Sequence, residues 1–164
     1  MEALILGDTD ATGADITKQL LDLEKFTEVH VFVRNVPTIN HPKLKVHKVD
    51  FNEVDTWSEK LKGDVLFLAM GTTLKTAGSK GAQYKVDVTY QFETAKAAAN
   101  NNVPKMILVS SIGANQKSIF FYPKIKGLLE IITAAYEFGD MAIRLKEEKL
   151  LRKMASHLPQ ALPA

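Results

Sequence analysis

Two adjacent hydroxyls, Ser110 and Ser111, close an apolar run. Tyr122 follows eleven residues after Ser111, and Lys126 stands four positions beyond the tyrosine. On a helix, residues i and i+4 share a face, so Tyr122 and Lys126 can stand one turn apart on the same side. An ammonium beside a phenol stabilises the phenolate and lowers its pKa. A serine hydroxyl can then hold a substrate oxygen while the tyrosine passes a proton to or from it. That set suits hydride transfer at a carbonyl, and it makes an enzyme the first expectation. Four tyrosines in a lysine-rich chain also give Tyr-x-x-x-Lys by chance. The spacing therefore counts only if Ser111 ends a strand and a dinucleotide loop lies upstream.

The elements that would position these residues alternate along the chain. Ala3 to Leu6 reads as a first strand stopped by Gly7, and Gly13 to Lys25 as a helix with Ile16, Leu20 and Leu23 on one side. Val29 to Val33 is β-branched and strand-like, and Leu44 to Val49 alternates as a half-exposed strand. Asn52 to Leu61 reads as a short helix, and Asp64 to Ala69 as a strand buried on both faces. A long helix is expected from Gly81 to Asn100, a buried strand from Lys105 to Val109, and a helix from Pro123 to Phe138. Met141 to Arg144 would be a sixth strand and Lys146 to Leu158 a last helix, before a loose tail over 159–164. Alternating strands and helices mean right-handed βαβ units on a parallel sheet. The expected fold class is α/β: a three-layered, doubly wound Rossmann sheet, strand order 3-2-1-4-5-6, in one domain over residues 1–158.

In such a fold the loop after the first strand binds pyrophosphate at a helix N-terminus. Here that loop is Gly7-Asp8-Thr9-Asp10-Ala11-Thr12-Gly13. It keeps the outer glycines of a G-x-x-G-x-x-G pattern, while Asp10 stands at the middle one, where a side chain crowds the phosphates and a carboxylate repels them. Arg34 ends the second strand where the adenosine ribose is read. It suits a 2′-phosphate, so NADP(H) is expected ahead of NAD(H). A surface arginine at a sheet edge is the plain alternative. Asp50 and Phe51 could flank an adenine, or Asp50 could simply cap the next helix. Ala69, Met70, Gly71 and Thr72 follow the fourth strand at the ligand-binding edge, or form a plain turn there.

The bulk numbers bound the partners. The chain has 164 residues, 46% hydrophobic and 24% charged, average for one soluble domain. Its 21 basic and 19 acidic residues give a net +2, so nucleic acid is not expected as a partner. No cysteine is present, which excludes disulfides and thiolate chemistry. His30, His41, His47 and His157 have no metal-ligand spacing, and no metal is expected. No secretory signal or membrane span is read, so a cytoplasmic location is expected and no membrane partner. A homo-oligomer or a protein partner stays open.

With loop, strand order and Ser/Tyr-x-x-x-Lys together, the chain resembles the atypical short-chain dehydrogenase/reductases, and among them the Tat-interacting-protein-like NAD(P)-binding subgroup. The likeness is carried by Leu4 to Gly13, Glu28 to Arg34, His41 to Leu44, Gly63 to Phe67, Gly71 to Thr73 and Lys75 to Asp87. Most distinctive is Leu108 to Ala114, through Phe121-Tyr122, to Lys126-Gly127. The resemblance implies a Rossmann fold binding NADP(H). Ser111 would orient the substrate oxygen, Tyr122 would move the proton, and Lys126 would lower the tyrosine pKa and hold the nicotinamide ribose. Ser110 is expected to face away, since side chains alternate along a strand.

Three departures from the family's pattern qualify this. Asp10 is the first. Pro123 directly after Tyr122 pushes the tyrosine toward extended geometry, so it is expected at the helix N-cap. After the sixth strand, family members continue with an Arg-Pro segment and a substrate-binding region. Here Leu145 and a lysine-rich helix follow Arg144, so much of the substrate pocket is expected to be missing or supplied by another subunit. A truncated or rebuilt family member would also explain the change after Phe138. Two functions are carried forward: an NADP(H)-dependent reductase of an unidentified small carbonyl compound, and a catalytically weak Rossmann module that senses nucleotide or binds a protein.

Overall fold

The structure, a computed structural model of the chain, describes residues 1–7, 11–136, 138 and 142–145. Strand β1 (Glu2–Leu6) leads to helix α1 (Ala11–Asp22), then to β2 (Glu28–Val33) and β3 (Leu44–Lys48). Two 3-10 turns (Val54–Thr56 and Ser58–Lys60) precede β4 (Val65–Leu68). Next come the short helices α2 (Leu74–Ala77) and α3 (Lys80–Tyr84), a π turn (Lys85–Thr89) and α4 (Tyr90–Asn100). The chain continues with β5 (Met106–Val109), α5 (Phe121–Ala134) and β6 (Ala142–Leu145). The strands form one sheet in the order β3-β2-β1-β4-β5-β6. Every pairing is parallel. The expected order and doubly wound architecture hold.

Period-two alternation splits the core between the two faces of the sheet. Ala3, Ile5, Val29, Val31, Phe67 and Ile107 bury one face against Ile16 and Leu20 of α1. Leu4, Leu6, Phe32, Leu66, Leu68 and Leu108 bury the other against Trp57, Val88, Ala95 and Leu129. A sheet covered on both sides needs the unbroken apolar runs seen in β1, β4 and β5. The edge strand β3 is half-exposed, as its alternation requires.

Four local expectations need correction. The short helix expected over 52–61 is a pair of 3-10 turns. Asp50 accepts from the Asn52 amide at 2.8 Å, and Trp57 Nε1 donates to the Asp50 carbonyl at 2.8 Å. These bonds close a turn and compete with a continuous helix. The long helix from Lys80 to Asn100 is real, but it carries a π turn at its middle. Helix α5 starts earlier than expected, with Phe120 as its N-cap, so Tyr122 and Pro123 both lie in the first turn. Proline is tolerated there because a first-turn N–H has no helical partner to lose. Tyr122 is therefore helical and not the cap. The sixth strand lies one residue later than expected. The helix expected over 146–158 and the tail over 159–164 lie outside the described residues. Among the described residues, no helix is long and apolar enough to cross a membrane.

Candidate functional site

The order β3-β2-β1-β4-β5-β6 reverses direction between β1 and β4, and ligands of open α/β sheets bind at the carboxyl end of that gap. Gly7 leaves β1 there with φ of 100°. A Cβ at this position would lie 2.6 Å from the Met70 amide nitrogen, so only glycine lets the exits of β1 and β4 come this close. Helix α1 opens at Ala11, which places Thr12 and Gly13 in its first turn beside this crevice. Thr17 Oγ1 donates to the Gly13 carbonyl at 3.0 Å and steadies that turn. Thr9 and Asp10 lie outside the described residues. Ala69 and Met70 are buried, and Gly71 has room on its Cα side toward Asp87 and Lys126. The glycine exit, the helix N-terminus and the open backbone at Gly71 fit a dinucleotide along this edge.

Ser110 and Ser111 follow β5 at the same edge. Both Oγ atoms are buried and have no hydrogen-bond partner among the described residues. A buried hydroxyl without a partner is costly, and a ligand oxygen would relieve it. Tyr122 stands at the start of α5, 41% exposed. It borders a cavity of about 450 Å³ shared with Thr72, Thr73, Leu74, Gln83 and Phe121. Among the described residues, no charged side chain lines that cavity.

Lys126 sits one turn below Tyr122, and its Nζ lies 5.8 Å from the tyrosine ring centroid. Its nearer contacts are elsewhere. Nζ pairs with Asp87 Oδ1 at 3.1 Å and reaches the Met70 carbonyl at 3.5 Å. This reverses one expectation. The Tyr122 pKa is raised rather than lowered, first by burial and then by the negative charge of Asp87.

Asp87 is the residue that motif reasoning missed. It lies in the π turn, fully buried, and its Oδ2 accepts from the Thr72 amide at 3.1 Å. Gln83 Nε2 donates to the Thr72 carbonyl at 3.0 Å, and Gln91 Nε2 donates to the Asp87 carbonyl at 2.8 Å. Gln83, Asp87 and Gln91 are all buried at spacings of four. That polar stripe, running beside the apolar one of Tyr84, Val88 and Ala95, was the available signal in the sequence.

The structure thus brings Tyr122, Lys126, Met70, Gly71 and Thr72 together, with Asp87 added. The adenosine-side candidates stand further along the edge. Arg34 is exposed just past β2. Asp50 is exposed after β3, and its pKa is lowered chiefly by the Asn52 amide, then by the Asn52 side chain. Phe51 is buried, not open for stacking; its ring lies 5.6 Å from Tyr90 and 6.1 Å from Trp57. A second cavity of about 350 Å³ lies between Phe51, Asn52, Lys85 and Tyr90.

A family model described as NAD(P)H-binding matches residues 7–150. The chain belongs to the NAD(P)H-binding family. Among curated relatives of this family member, Protein FMP52, mitochondrial, of Eremothecium gossypii is 33% identical over 159 residues, covering 96% of the chain and 70% of the relative. The protein of the same name from Debaryomyces hansenii is 36% identical over 145 residues, covering 84% and 62%. Among solved structures, a short-chain dehydrogenase/reductase superfamily protein from Agrobacterium tumefaciens with bound NAD superposes with a TM-score of 0.72 at 14% identity, covering 89% of this chain and 48% of that one. A UDP-galactose 4-epimerase superposes at 0.69 with 20% identity, covering 89% and 55%. At these identities the superpositions establish the fold alone, a doubly wound parallel sheet. The family member spans under two thirds of some curated relatives and about half of these solved chains. The expected cytoplasmic location is overturned, because the yeast relatives are named mitochondrial proteins.

Proposed function

We propose that this NAD(P)H-binding chain is the cofactor-binding part of a reductase that acts on a small carbonyl compound, with NADP(H) as its preferred dinucleotide. The observation that carries the reading is the meeting of Tyr122 and Lys126 on α5 at the edge where the Ser110 and Ser111 hydroxyls lie buried without partners among the described residues. A bound nicotinamide dinucleotide supplies the hydride. Ser111 holds the carbonyl oxygen, and Tyr122 delivers or accepts the proton at that oxygen. Gly7 and the first turn of α1 receive the pyrophosphate, and Gly71 and Thr72 line its path toward Lys126. Arg34, at the tip of β2, suits a 2′-phosphate. The mitochondrial names of the yeast relatives support a mitochondrial location.

Asp10 at the middle position of the phosphate loop favours a second reading, a Rossmann module with weak or no turnover that senses nucleotide or binds a protein. Titration with NADPH and NADH, followed by nicotinamide fluorescence, separates the two. Micromolar NADPH binding that weakens on Arg34→Ala, together with turnover of a small carbonyl compound that is lost in Tyr122→Phe, supports the reductase. Binding that is absent in the parent and returns in Asp10→Gly supports the module. No binding in either protein rules out a nucleotide role.

A further inference from the structure

The cavity beside Tyr122 has a neutral wall. It holds about 450 Å³ between Thr72, Thr73, Leu74, Gln83, Phe121 and Tyr122. Several of its polar groups are already committed to the protein. The Thr72 amide donates to Asp87 Oδ2 at 3.1 Å, and the Thr72 carbonyl accepts from Gln83 Nε2 at 3.0 Å. Thr73 caps α2, its Oγ1 accepting from the Thr76 amide at 3.1 Å. Leu74 leaves 47% of its surface exposed, and the chain just before Phe121 exposes Ile119 and Phe120 as well. The cations nearby are held elsewhere. Lys126 pairs with Asp87 at 3.1 Å, and Lys80 lies 5.5 Å from the Phe121 ring centroid without lining the cavity. An anion taken into this space would leave water and meet no cation lining it among the described residues, which is costly. An apolar chain would leave water at a gain. At the ~30 Å³ that a water molecule takes in the liquid, 450 Å³ has room for about fifteen non-hydrogen atoms.

We propose that this cavity is the substrate subsite, and that it takes the uncharged, apolar body of a small carbonyl compound while turning away substrates that carry a carboxylate or phosphate. The proposal rests on the reductase reading and deepens it by naming the substrate class. Leu74 and Phe121 are the residues that set the preference: they cover the chain of the substrate, and Tyr122 meets its oxygen at the other end. Leu74 belongs to the four-residue helix α2 and is half-exposed, so its side chain can be exchanged with little effect on the core.

The test compares three ketones on the full chain: methyl pentyl ketone, the same ketone bearing a terminal carboxylate, and acetone. Binding is read by saturation-transfer difference NMR with NADP⁺ present, which has no hydride to give, so the result does not depend on turnover. Methyl pentyl ketone is expected to bind about 10- to 100-fold more tightly than acetone, because the chain is buried. It is expected to exceed the carboxylated ketone by a similar factor, about 10- to 100-fold, because the wall offers that charge no partner. In Leu74→Lys, which puts a cation into the wall, the carboxylated ketone is expected to gain and the neutral one to lose. A parent that binds the carboxylated ketone as well as the neutral one overturns the proposal, and so does a parent that binds neither. A ratio unchanged in Leu74→Lys overturns the assignment to this cavity. Turnover of the same ketones with NADPH keeps the two failures apart. A parent that binds NADPH and the neutral ketone without oxidising the cofactor overturns the reductase reading, and leaves the cavity as an apolar binding site. A parent that oxidises NADPH with the carboxylated ketone in preference overturns the proposal alone.

Discussion

Tyr122 and Ser111 differ in what their loss should do. If Tyr122 is the proton donor, Tyr122→Phe lowers turnover by about 10²- to 10⁴-fold while NADPH binding is kept. Ser111→Ala removes a hydroxyl that has no hydrogen-bond partner among the described residues, so it should lower activity without lowering the melting temperature. A stability loss in Ser111→Ala would mean that the hydroxyl serves the fold instead. Gly127 makes the opposite case. A Cβ there would run into the backbones of Asn115 and Gln116, in the loop whose Asn115 amide donates to the Pro123 carbonyl at 2.9 Å. Overpacking of this kind costs about 1–3 kcal/mol, so Gly127→Ala should unfold at clearly lower urea concentration than the parent. An unchanged midpoint would show that the loop gives way freely.

At the scale of elements, β2 and β3 carry a pair of histidines on one face. His30 Nδ1 and His47 Nε2 lie 2.9 Å apart, and His47 stacks on Phe32 with centroids at 4.8 Å. The His47 pKa is lowered, first by burial, then by His30 and by Lys60. A histidine that resists protonation when folded binds fewer protons than the unfolded chain below its ordinary value. Its contribution is therefore complete above the model value of 6.5 and is lost as pH falls through the depressed folded value. Urea unfolding between pH 7.5 and 5 should show stability falling toward acid, and His47→Gln should flatten that slope. An identical slope in the variant would remove His47 as its cause.

The same scale shows what could be read from residue types alone. Apolar runs such as Val65–Leu68 and Met106–Val109 identify buried parallel strands because nothing polar interrupts them. Strand order followed from alternation with helices. The turns at Val54–Thr56 and Ser58–Lys60 were read as helix because Val54, Trp57 and Leu61 have helical spacing, and the Trp57 indole bond to Asp50 is invisible to periodicity. Tyr122 and Lys126 were legible as a pair on one helix face. Their electrostatics were not, because the deciding group, Asp87, lies 39 positions before Lys126 and meets it only through tertiary packing.

For the whole molecule, ligand binding and stability are linked, since a dinucleotide held only by the folded state adds to its stability. Saturating NADPH should raise the melting temperature, and Asp10→Gly should enlarge the rise by removing a carboxylate from the phosphate loop. A smaller rise in Asp10→Gly would show that Asp10 assists binding.

The central place of β1 also bears on how the chain is made. Its Ala3 pairs with Val29 on one side and with Val65 on the other. During synthesis one flank of Leu4, Ile5 and Leu6 therefore stays open until a strand some sixty residues downstream has emerged. Such delayed, non-local pairing slows folding and leaves apolar backbone edges accessible to other chains. Ribosome-bound chains that stop before β4 should be digested readily by added protease, whereas chains that extend past β5 should resist it. The later-arriving neighbour of β1 thus sets when that strand ceases to be open to other chains.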